Sequence, residues 1–376
     1  MPCSCCIIPN DVLTRLSQDK KLSAVLRKQM VDTVQVSHEL RELRTQTAKL
    51  TSVVAARAAG LVTLAAAPTV TVYDCKHTQT LPGTPVPKPK TSSDGSVKRT
   101  FNQTTKVARF YQQVFNRNSI DDHGMTMMSS VHFGEKYNNA MWNGSQMVYG
   151  DGDGSIFVDF TRGNDVIGHE LTHGVTQHSL QLAYSGDAGG LNESISDCFG
   201  SMFRQWEAKQ DVKKADWLIG RDIMGPAAKK KGFACLRDMA DPAAKHCLAP
   251  QPTKYSQVTP GMDPHYASGP PNLAFYTACT TLGGYSWARI GQVWYHSLTG
   301  FGPAPNMTMK AFAARTRQGA HTLYPAMPQS SPPSIPDGRR SGSKTCDTEG
   351  RKRGSLEDRA RRRVRRLRRP SPQEPR

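Results

Sequence analysis

Hydrophobic and polar positions divide the chain into segments with different periods. Between residues 10 and 50, leucine, methionine and valine recur every three or four positions in polar sequence, which predicts helix. Residues 69–159 show shorter apolar runs broken by turn sequences such as Leu81-Pro-Gly83 and Asp94-Gly95, and these runs predict strands. Residues 165–325 return to helical spacing between turns containing glycine or proline. The pattern therefore predicts an α+β protein with a β-rich lobe followed by a mainly helical lobe.

Two further segments have compositions that differ from these lobes. The small, apolar run Ala55–Ala67 is typical of a linker between two folded pieces, and it lies too far from Met1 for the apolar core of a signal peptide. Beyond Tyr324 the chain is rich in proline, serine and arginine, and eight of the eleven residues in Arg359–Arg369 are arginine. Such a composition cannot bury an apolar core, so residues 326–376 are predicted to be a disordered, arginine-rich tail.

The net charge of +18 is concentrated at one end of the chain. Residues 331–376 hold 15 basic and 6 acidic residues, a net charge of +9, and contain no interleaved aromatic residues or known nucleic-acid-binding module. We therefore expect no specific nucleic-acid partner, and any binding by the tail would be non-specific and sensitive to salt. No stretch approaches the roughly 18 apolar residues of a membrane span, so no membrane partner is expected.

Cysteine content and the N-terminal sequence bear on localisation. Nine cysteines, an odd number without zinc-finger spacing, favour free thiols in a reducing compartment. The first residues lack the basic region and apolar core of a secretory signal. A cytoplasmic precursor is therefore favoured, and secretion by a non-standard route is the alternative.

The sequence His169-Glu-Leu-Thr-His173 carries the clearest chemical signal. On a helix, positions i and i+4 lie one above the other, so the two imidazoles can share a zinc ion. Glu170 lies beside them, where it can take a proton from a zinc-bound water. The pattern predicts a catalytic zinc site.

A catalytic zinc site needs a third protein ligand. Glu193 follows twenty residues after His173, and the intervening glycines of Ser185–Gly190 predict a sharp reversal that returns Glu193 to the metal. Asp197 lies one helical turn beyond Glu193, where it can accept the free N–H of a ligating histidine.

Three motifs together resemble the thermolysin family of zinc metallopeptidases, and within it the protealysin-like branch. They are Tyr137–Gly154, Asp165–His173 and Asn192–Asp197. The resemblance covers about residues 70–315. It implies a thermolysin-like two-domain peptidase: a pro-segment over 1–67, a β-rich catalytic lobe over 68–180 ending in the HExxH helix, and a helical lobe over 181–325.

The resemblance also implies a role for each matching residue. His169, His173 and Glu193 resemble the zinc ligands, and Glu170 the general base. Asp197 and Asn192 resemble the partners of His169 and His173, while Tyr184 and His265 resemble the groups that stabilise the oxyanion. The groups that hold the substrate backbone are Asn139, Ala140 and Arg237, and the apolar pocket is formed by Phe157, Phe160, Val166, Ile219, Ile223 and Leu236.

These roles imply an endopeptidase that cleaves on the N-terminal side of large apolar residues by attack of a zinc-bound water. The resemblance further implies peptide or protein substrates, a monomer, and a self-processing precursor whose pro-segment acts as an intramolecular inhibitor.

Several positions depart from the family pattern. Arg204 and Arg221 replace acids of the double calcium site, so we expect that site to be absent, with Asp165 and Asp216 paired to these arginines. The usual residues before His265 are replaced, and Asp263 is the nearest carboxylate that could orient it. From about residue 320 the family's closing helical segment gives way to other sequence, and one hypothesis is a shift of reading frame.

Two alternatives remain open from the sequence. The chain could be a non-catalytic binding protein, either an inactive peptidase or a carrier whose tail binds nucleic acid. Cys3, Cys5 and Cys6 could supply a thiolate that ligates the zinc and keeps the enzyme latent, or they could be an unstructured thiol cluster.

Overall fold

A computed structural model describes residues 6–55 and 69–325 of this protein, and for residues 43–55 it describes the backbone alone. The predicted linker after residue 55, the predicted tail over 326–376, and Cys3 and Cys5 lie outside the described residues. Within the described part of the chain, no helix is both long and apolar enough to cross a membrane.

The helices and strands follow the predicted order of a mixed first half and a helical second half. The helices are α1 (Asn10–Gln18), α2 (Ala24–Ala55), α3 (Gly95–Phe115), α4 (Asn164–Gln177), α5 (Gly186–Ala208), α6 (Pro226–Lys230), α7 (Pro264–Ala267), α8 (Gly269–Leu282), α9 (Ile290–Thr299) and α10 (Met309–Leu323). The strands are β1 (Val70–Asp74), β2 (Thr84–Pro85), β3 (Met127–Val131), β4 (Ala140–Trp142), β5 (Met147–Tyr149), β6 (Leu218–Ile219) and β7 (Arg237–Asp238).

The larger sheet has five strands in the order β2-β1-β3-β5-β4. Its centre is parallel, with Val72 opposite Ser129 and Ser129 opposite Met147, and its two outer strands run antiparallel to their neighbours. Strand β4 lies at the edge of this sheet, so one row of its backbone N–H and C=O groups is not paired with another strand of the sheet.

The prediction of strands over 69–159 is wrong for the 21 residues of α3. The predicted turn at Asp94-Gly95 is instead the start of this helix. Asp94 is the N-cap, and its carboxylate accepts hydrogen bonds from the backbone N–H groups of Ser96 and Val97. The segment contains many β-branched and aromatic residues, but its buried positions Val97, Thr100 and Thr104 recur with helical spacing. Packing of that face against the core outweighs local strand propensity.

Helices α4 and α5 pack closely against each other, and glycines set their separation. A Cβ on Gly200 would lie 2.6 Å from the backbone oxygen of Asp165, and one on Gly168 would lie 3.1 Å from the Cα of Gly200. Because neither residue has a side chain, the two backbones approach closely, and residues on the facing turns come within contact of one another.

Residues 6–42 lie against the rest of the protein through both apolar and polar contacts. Leu13, Leu16 and Met30 are buried in the main core. Arg15 Nη2 donates to the backbone oxygen of Leu248 at 2.7 Å, and the hydroxyls of Ser37 and Tyr137 are 2.9 Å apart. Helices α1 and α2 are therefore part of the same packed unit as the two lobes.

Candidate active site

Helix α4 carries the two histidines of the HExxH sequence on one buried face. His169, Glu170 and His173 are all at most 2% exposed. The Nε2 atoms of the two imidazoles are 3.0 Å apart, as expected for side chains one turn apart that point at the same location.

Helix α5 brings Glu193 to the same location. Glu193 Oε2 lies 3.4 Å from His169 Nε2, and Oε1 lies 3.5 Å from His173 Nε2. For ligand bonds of about 2.0–2.2 Å at tetrahedral angles, neighbouring ligand atoms lie about 3.3–3.6 Å apart. The two nitrogen–oxygen distances lie in or near that range and the nitrogen–nitrogen distance is slightly shorter. The residues present therefore fit a zinc ion.

The other ring nitrogen of each histidine is held by a polar partner. His169 Nδ1 lies 2.8 Å from Asp197 Oδ1. His173 Nδ1 lies 2.8 Å from Asn192 Oδ1 and 3.0 Å from the hydroxyl of Ser196. With Nδ1 donating to these oxygens, both Nε2 atoms are left as acceptors directed at the metal position. The structure thus places Asp197 in contact with His169 and Asn192 in contact with His173.

Asp197 also connects the metal site to a fully buried arginine. Arg237 Nη2 and Nε donate to its two carboxylate oxygens at 2.7 and 2.8 Å, and Asn272 Nδ2 donates at 2.9 Å. Burial by itself would raise the pKa of Asp197, but Arg237 and His169 outweigh it and hold that pKa well below its usual range. Asn272 was not predicted, because a single asparagine on helix α8, which also contains three threonines, carries no distinctive sequence signal.

Glu170 is fixed by a backbone donor that the sequence does not reveal. The N–H of Trp142, on edge strand β4, donates to Glu170 Oε2 at 2.8 Å, while Oε1 has no hydrogen-bond partner among the described residues. Burial raises the pKa of Glu170 to about 8. One carboxylate oxygen is therefore anchored and the other is available to accept a proton.

Tyr184 and His265 both lie beside Glu193 of the ligand triad. The Tyr184 hydroxyl donates to Glu193 Oε1 at 2.5 Å and is 3.4 Å from His265 Nε2. His265 Nε2 is also 3.6 Å from Glu193 Oε2. Asp263 orients His265, since its Oδ1 lies 2.7 Å from His265 Nδ1 and accepts the His265 backbone N–H.

The glycines of Ser185–Gly190 do not form the predicted reversal. They form the first turn of α5, and the reversal is made by residues 178–185. A Cβ on Gly189 would lie 2.8 Å from Pro264, and one on Gly190 would lie 2.9 Å from Ala267. The glycines are required because α7, which carries His265, packs directly on this turn of α5.

Residues 6–8 of the chain lie along the edge of β4 as an added antiparallel strand. Cys6 forms a bridge with Met141, and the backbone N–H of Ile7 donates to Ala140 O at 3.1 Å. Asn139 binds Ile8 at both backbone groups, accepting its N–H at 3.0 Å and donating to its oxygen at 3.1 Å.

The carbonyl groups of Cys6 and Ile7 contact two side chains of the site, those of His265 and Arg237. Arg237 Nη1 donates to Ile7 O at 3.1 Å, and His265 Nε2 lies 2.5 Å from Cys6 O. All of the predicted backbone-binding groups, Asn139, Ala140 and Arg237, are thus occupied by residues 6–8.

The residues of the predicted apolar pocket are fully buried in the core cluster that also contains Ile7. They come from three places: the segment between β5 and α4, helix α4 itself, and the segment around β6 and β7. In chain order they are Phe157, Phe160, Val166, Ile219, Ile223 and Leu236.

The Cys6 side chain does not belong to the group of side chains that converges on the metal position. It packs instead in a small buried cluster with Phe133, Tyr137 and Met141. The hypothesis of a thiolate ligand therefore finds no support at Cys6, and Cys3 and Cys5 lie outside the described residues.

Arg204 and Arg221 form the predicted ion pairs with acidic side chains. Arg204 lies 3.7 Å from Asp165, 3.5 Å from Asp216 and 3.1 Å from Asp222, and Arg221 pairs with Asp216. The guanidinium groups thus occupy the space among these carboxylates.

Comparisons with known proteins identify two family profiles in this chain. The profile described as thermolysin metallopeptidase, catalytic domain, matches residues 41–177. The profile described as thermolysin metallopeptidase, alpha-helical domain, matches residues 180–331.

Individual relatives and a solved structure agree with these profiles. Protease PrtS of Photorhabdus sp. (strain Az29) is 38% identical over 263 residues, which is 67% of this chain and 71% of the relative. The extracellular metalloprotease of Pectobacterium carotovorum is 38% identical over 275 residues, 69% of this chain and 78% of the relative. The structure of the precursor of protealysin, a metalloproteinase from Serratia proteamaculans, aligns with a TM-score of 0.73 at 33% identity, covering 85% of this chain and 94% of that one.

Proposed function

This chain belongs to the thermolysin family of metallopeptidases, and on that premise we propose that it is a zinc endopeptidase that cleaves on the N-terminal side of large apolar residues. The single observation that carries the proposal is the convergence of His169, His173 and Glu193 beside Glu170, whose buried Oε1 has no hydrogen-bond partner in the described part of the chain. A buried carboxylate oxygen in that position suits a general base.

Each of the chain's own groups has a defined part in peptide hydrolysis. Zinc, when bound by the triad, would act as a Lewis acid toward the attacking water and the scissile carbonyl. Glu170 Oε1 accepts a proton from that water and delivers it to the leaving nitrogen, while the Trp142 N–H holds the other oxygen. Tyr184 and His265 donate hydrogen bonds to the oxyanion that develops on the carbonyl.

The position of residues 6–8 supports both the mode of substrate binding and the specificity. Their backbone is bound as an extended chain, with the Cys6 carbonyl at His265 and the Ile7 side chain in the same buried cluster as the pocket residues. This arrangement supports a substrate position in which the scissile bond corresponds to the Cys6–Ile7 peptide bond, with an apolar residue immediately after it.

The same contacts support the role of residues 1–67 as an intramolecular inhibitor. A substrate needs the edge of β4, Asn139, Arg237 and His265, and residues 6–8 bind all four. Because both cannot bind together, the precursor must release this segment before it can act on another chain. Self-processing that removes the pro-segment would make the release permanent.

An internally quenched peptide series tests the proposed activity and specificity. With the pro-segment removed, peptides carrying Leu, Ile or Phe after the scissile bond should be cleaved about 10–100-fold faster, in kcat/KM, than the matched peptide with Ala. Hydrolysis should stop with a zinc chelator and return with added zinc. Equal rates for Leu and Ala would contradict the specificity, and chelator-resistant hydrolysis would contradict the metal mechanism.

The absence of a double calcium site stays a prediction, and Arg204 offers a test of what replaces it. In Arg204→Met the fully buried Asp165 loses its cationic neighbour, so the free energy of unfolding should fall by about 3 kcal/mol. The matched variant Arg221→Met alters an arginine that is 46% exposed. It should change the free energy of unfolding by less than about 1 kcal/mol.

Chemical denaturation of the zinc-loaded wild type and both variants, with and without added Ca²⁺, measures these differences. A wild-type midpoint that rises when Ca²⁺ is added would show that calcium does bind, contrary to this prediction.

A further inference from the structure

We propose that Cys235, His246 and Cys247 form a second zinc site, structural in role and separate from the catalytic triad. The two thiols and one ring nitrogen of His246 all lie within 4.8 Å of one another. Two sulfurs and an imidazole nitrogen form a donor set that favours zinc over magnesium or calcium.

The backbone holds the two cysteines in fixed positions. Cys235 and Cys247 form a parallel bridge, in which the N–H of Leu248 donates to Cys235 O and the N–H of Ala234 donates to His246 O, each at 2.9 Å. Both cysteines are at most 1% exposed. The two sulfurs therefore face one another because of the surrounding fold.

The separation of the sulfurs matches a shared metal ion. The Sγ atoms are 3.7 Å apart. Two thiolates bound to one tetrahedral zinc at about 2.3 Å lie about 3.8 Å apart. A disulfide requires about 2.05 Å, so forming one would need the sulfurs to approach by more than about 1.5 Å.

The third ligand, His246, already contacts a carboxylate, as metal-binding histidines usually do. His246 Nε2 lies 3.1 Å from Asp238 Oδ2, and Asp238 Oδ1 accepts the backbone N–H groups of Ala240 and Asp241. Asp238 can therefore orient the imidazole or supply a fourth ligand. The His246 side chain is 41% exposed, which gives an ion a path to the buried sulfurs. Binding would release the two thiol protons to solvent.

The site would fix a segment that the active site depends on. Leu236, in the apolar pocket, and Arg237, which binds Asp197 and Ile7, directly follow Cys235. On the other bridged segment Leu248, which accepts the hydrogen bond of Arg15, directly follows Cys247. A zinc ion between the cysteines would hold these two segments together next to Leu236 and Arg237.

Metal content and thiolate absorption of the full chain test this site without relying on activity. In a Glu170→Gln background, chosen to prevent self-cleavage, the purified chain should contain about two zinc ions, and Cys235→Ser/Cys247→Ser about one. Chain loaded with Co²⁺ should show thiolate-to-metal charge-transfer absorption, which the catalytic triad cannot give because it holds no sulfur.

Control variants separate the two sites and guard against misfolding. Cys279→Ala removes a buried thiol outside the cluster and should keep both zinc ions and the absorption. His173→Ala removes a catalytic ligand and should keep the cluster's zinc and the absorption. His246→Ala changes a part-exposed side chain, so it should fold and lose the second zinc to a weak chelator.

The expected pattern is one zinc fewer in the cysteine variant and absorption that depends on Cys235 and Cys247. Absence of the absorption from the Co²⁺-loaded chain would overturn the proposal. So would recovery of Cys235 and Cys247 joined by a disulfide, or equal zinc content with and without the two cysteines.

Discussion

Replacing Glu170 with Gln is expected to lower kcat by about 10²–10⁴-fold while zinc content stays unchanged. Gln keeps the size of the side chain and can still accept the hydrogen bond from the Trp142 N–H, so the cleft retains its shape. The amide that replaces the Glu170 carboxylate cannot take a proton from water. The measurement is kcat for an internally quenched peptide, with the variant's metal content determined on the same sample.

The control for this variant is Glu135→Gln, which makes the same change at an exposed glutamate outside the metal triad. It should retain wild-type activity, because it removes a carboxylate that is not in the cleft. If Glu170→Gln keeps wild-type kcat with full zinc content, another group must act as the base.

Replacing Ile7 with Asp is expected to open the active site of the precursor. Ile7 is fully buried, and loss of that burial weakens binding of the segment by about 1.5–3 kcal/mol. Burying a carboxylate at the same position weakens it further. Since 1.4 kcal/mol corresponds to a factor of ten, the affinity for an active-site probe should rise about 10²-fold or more. The probe is a peptide hydroxamate with a Leu side chain, titrated into full-length, zinc-loaded chain.

This titration is made in a Glu170→Gln background, so that every sample keeps its pro-segment. The matched control is Val25→Asp, which introduces the same charge in the same segment at a residue that is 67% exposed. Its probe affinity should equal that of the unmodified chain. An unchanged affinity in Ile7→Asp would contradict the view that residues 6–8 block the cleft.

The centre of the site could be predicted from the sequence because its residues lie on two helices. Helical geometry alone brings His169 and His173 together, and it places Asp197 one turn beyond Glu193. The long motifs around them resemble one family, and both family profiles match. The position of His265 depended on that resemblance, since nothing in the local spacing places it near α5.

The parts that were not predicted depend on contacts between distant segments. The helix α3 has a composition typical of strands, and only its packing reveals the helical face. The role of Gly189 and Gly190 follows from the approach of α7, some 75 residues further along the chain. Trp142 and Asn272 support Glu170 and Asp197 through a backbone N–H and an amide, groups that leave almost no signal in a sequence.

The added strand at the edge of β4 has a consequence for which proteins this peptidase can digest. Residues 6–8 are bound with their N–H and C=O groups engaged by Asn139, Ala140 and Arg237. A target must offer about the same three residues in extended form with those groups unpaired. In helices and internal strands the backbone N–H and C=O groups are already hydrogen-bonded. Native proteins should therefore be cleaved only in exposed loops, and unfolded or damaged polypeptides should be degraded preferentially.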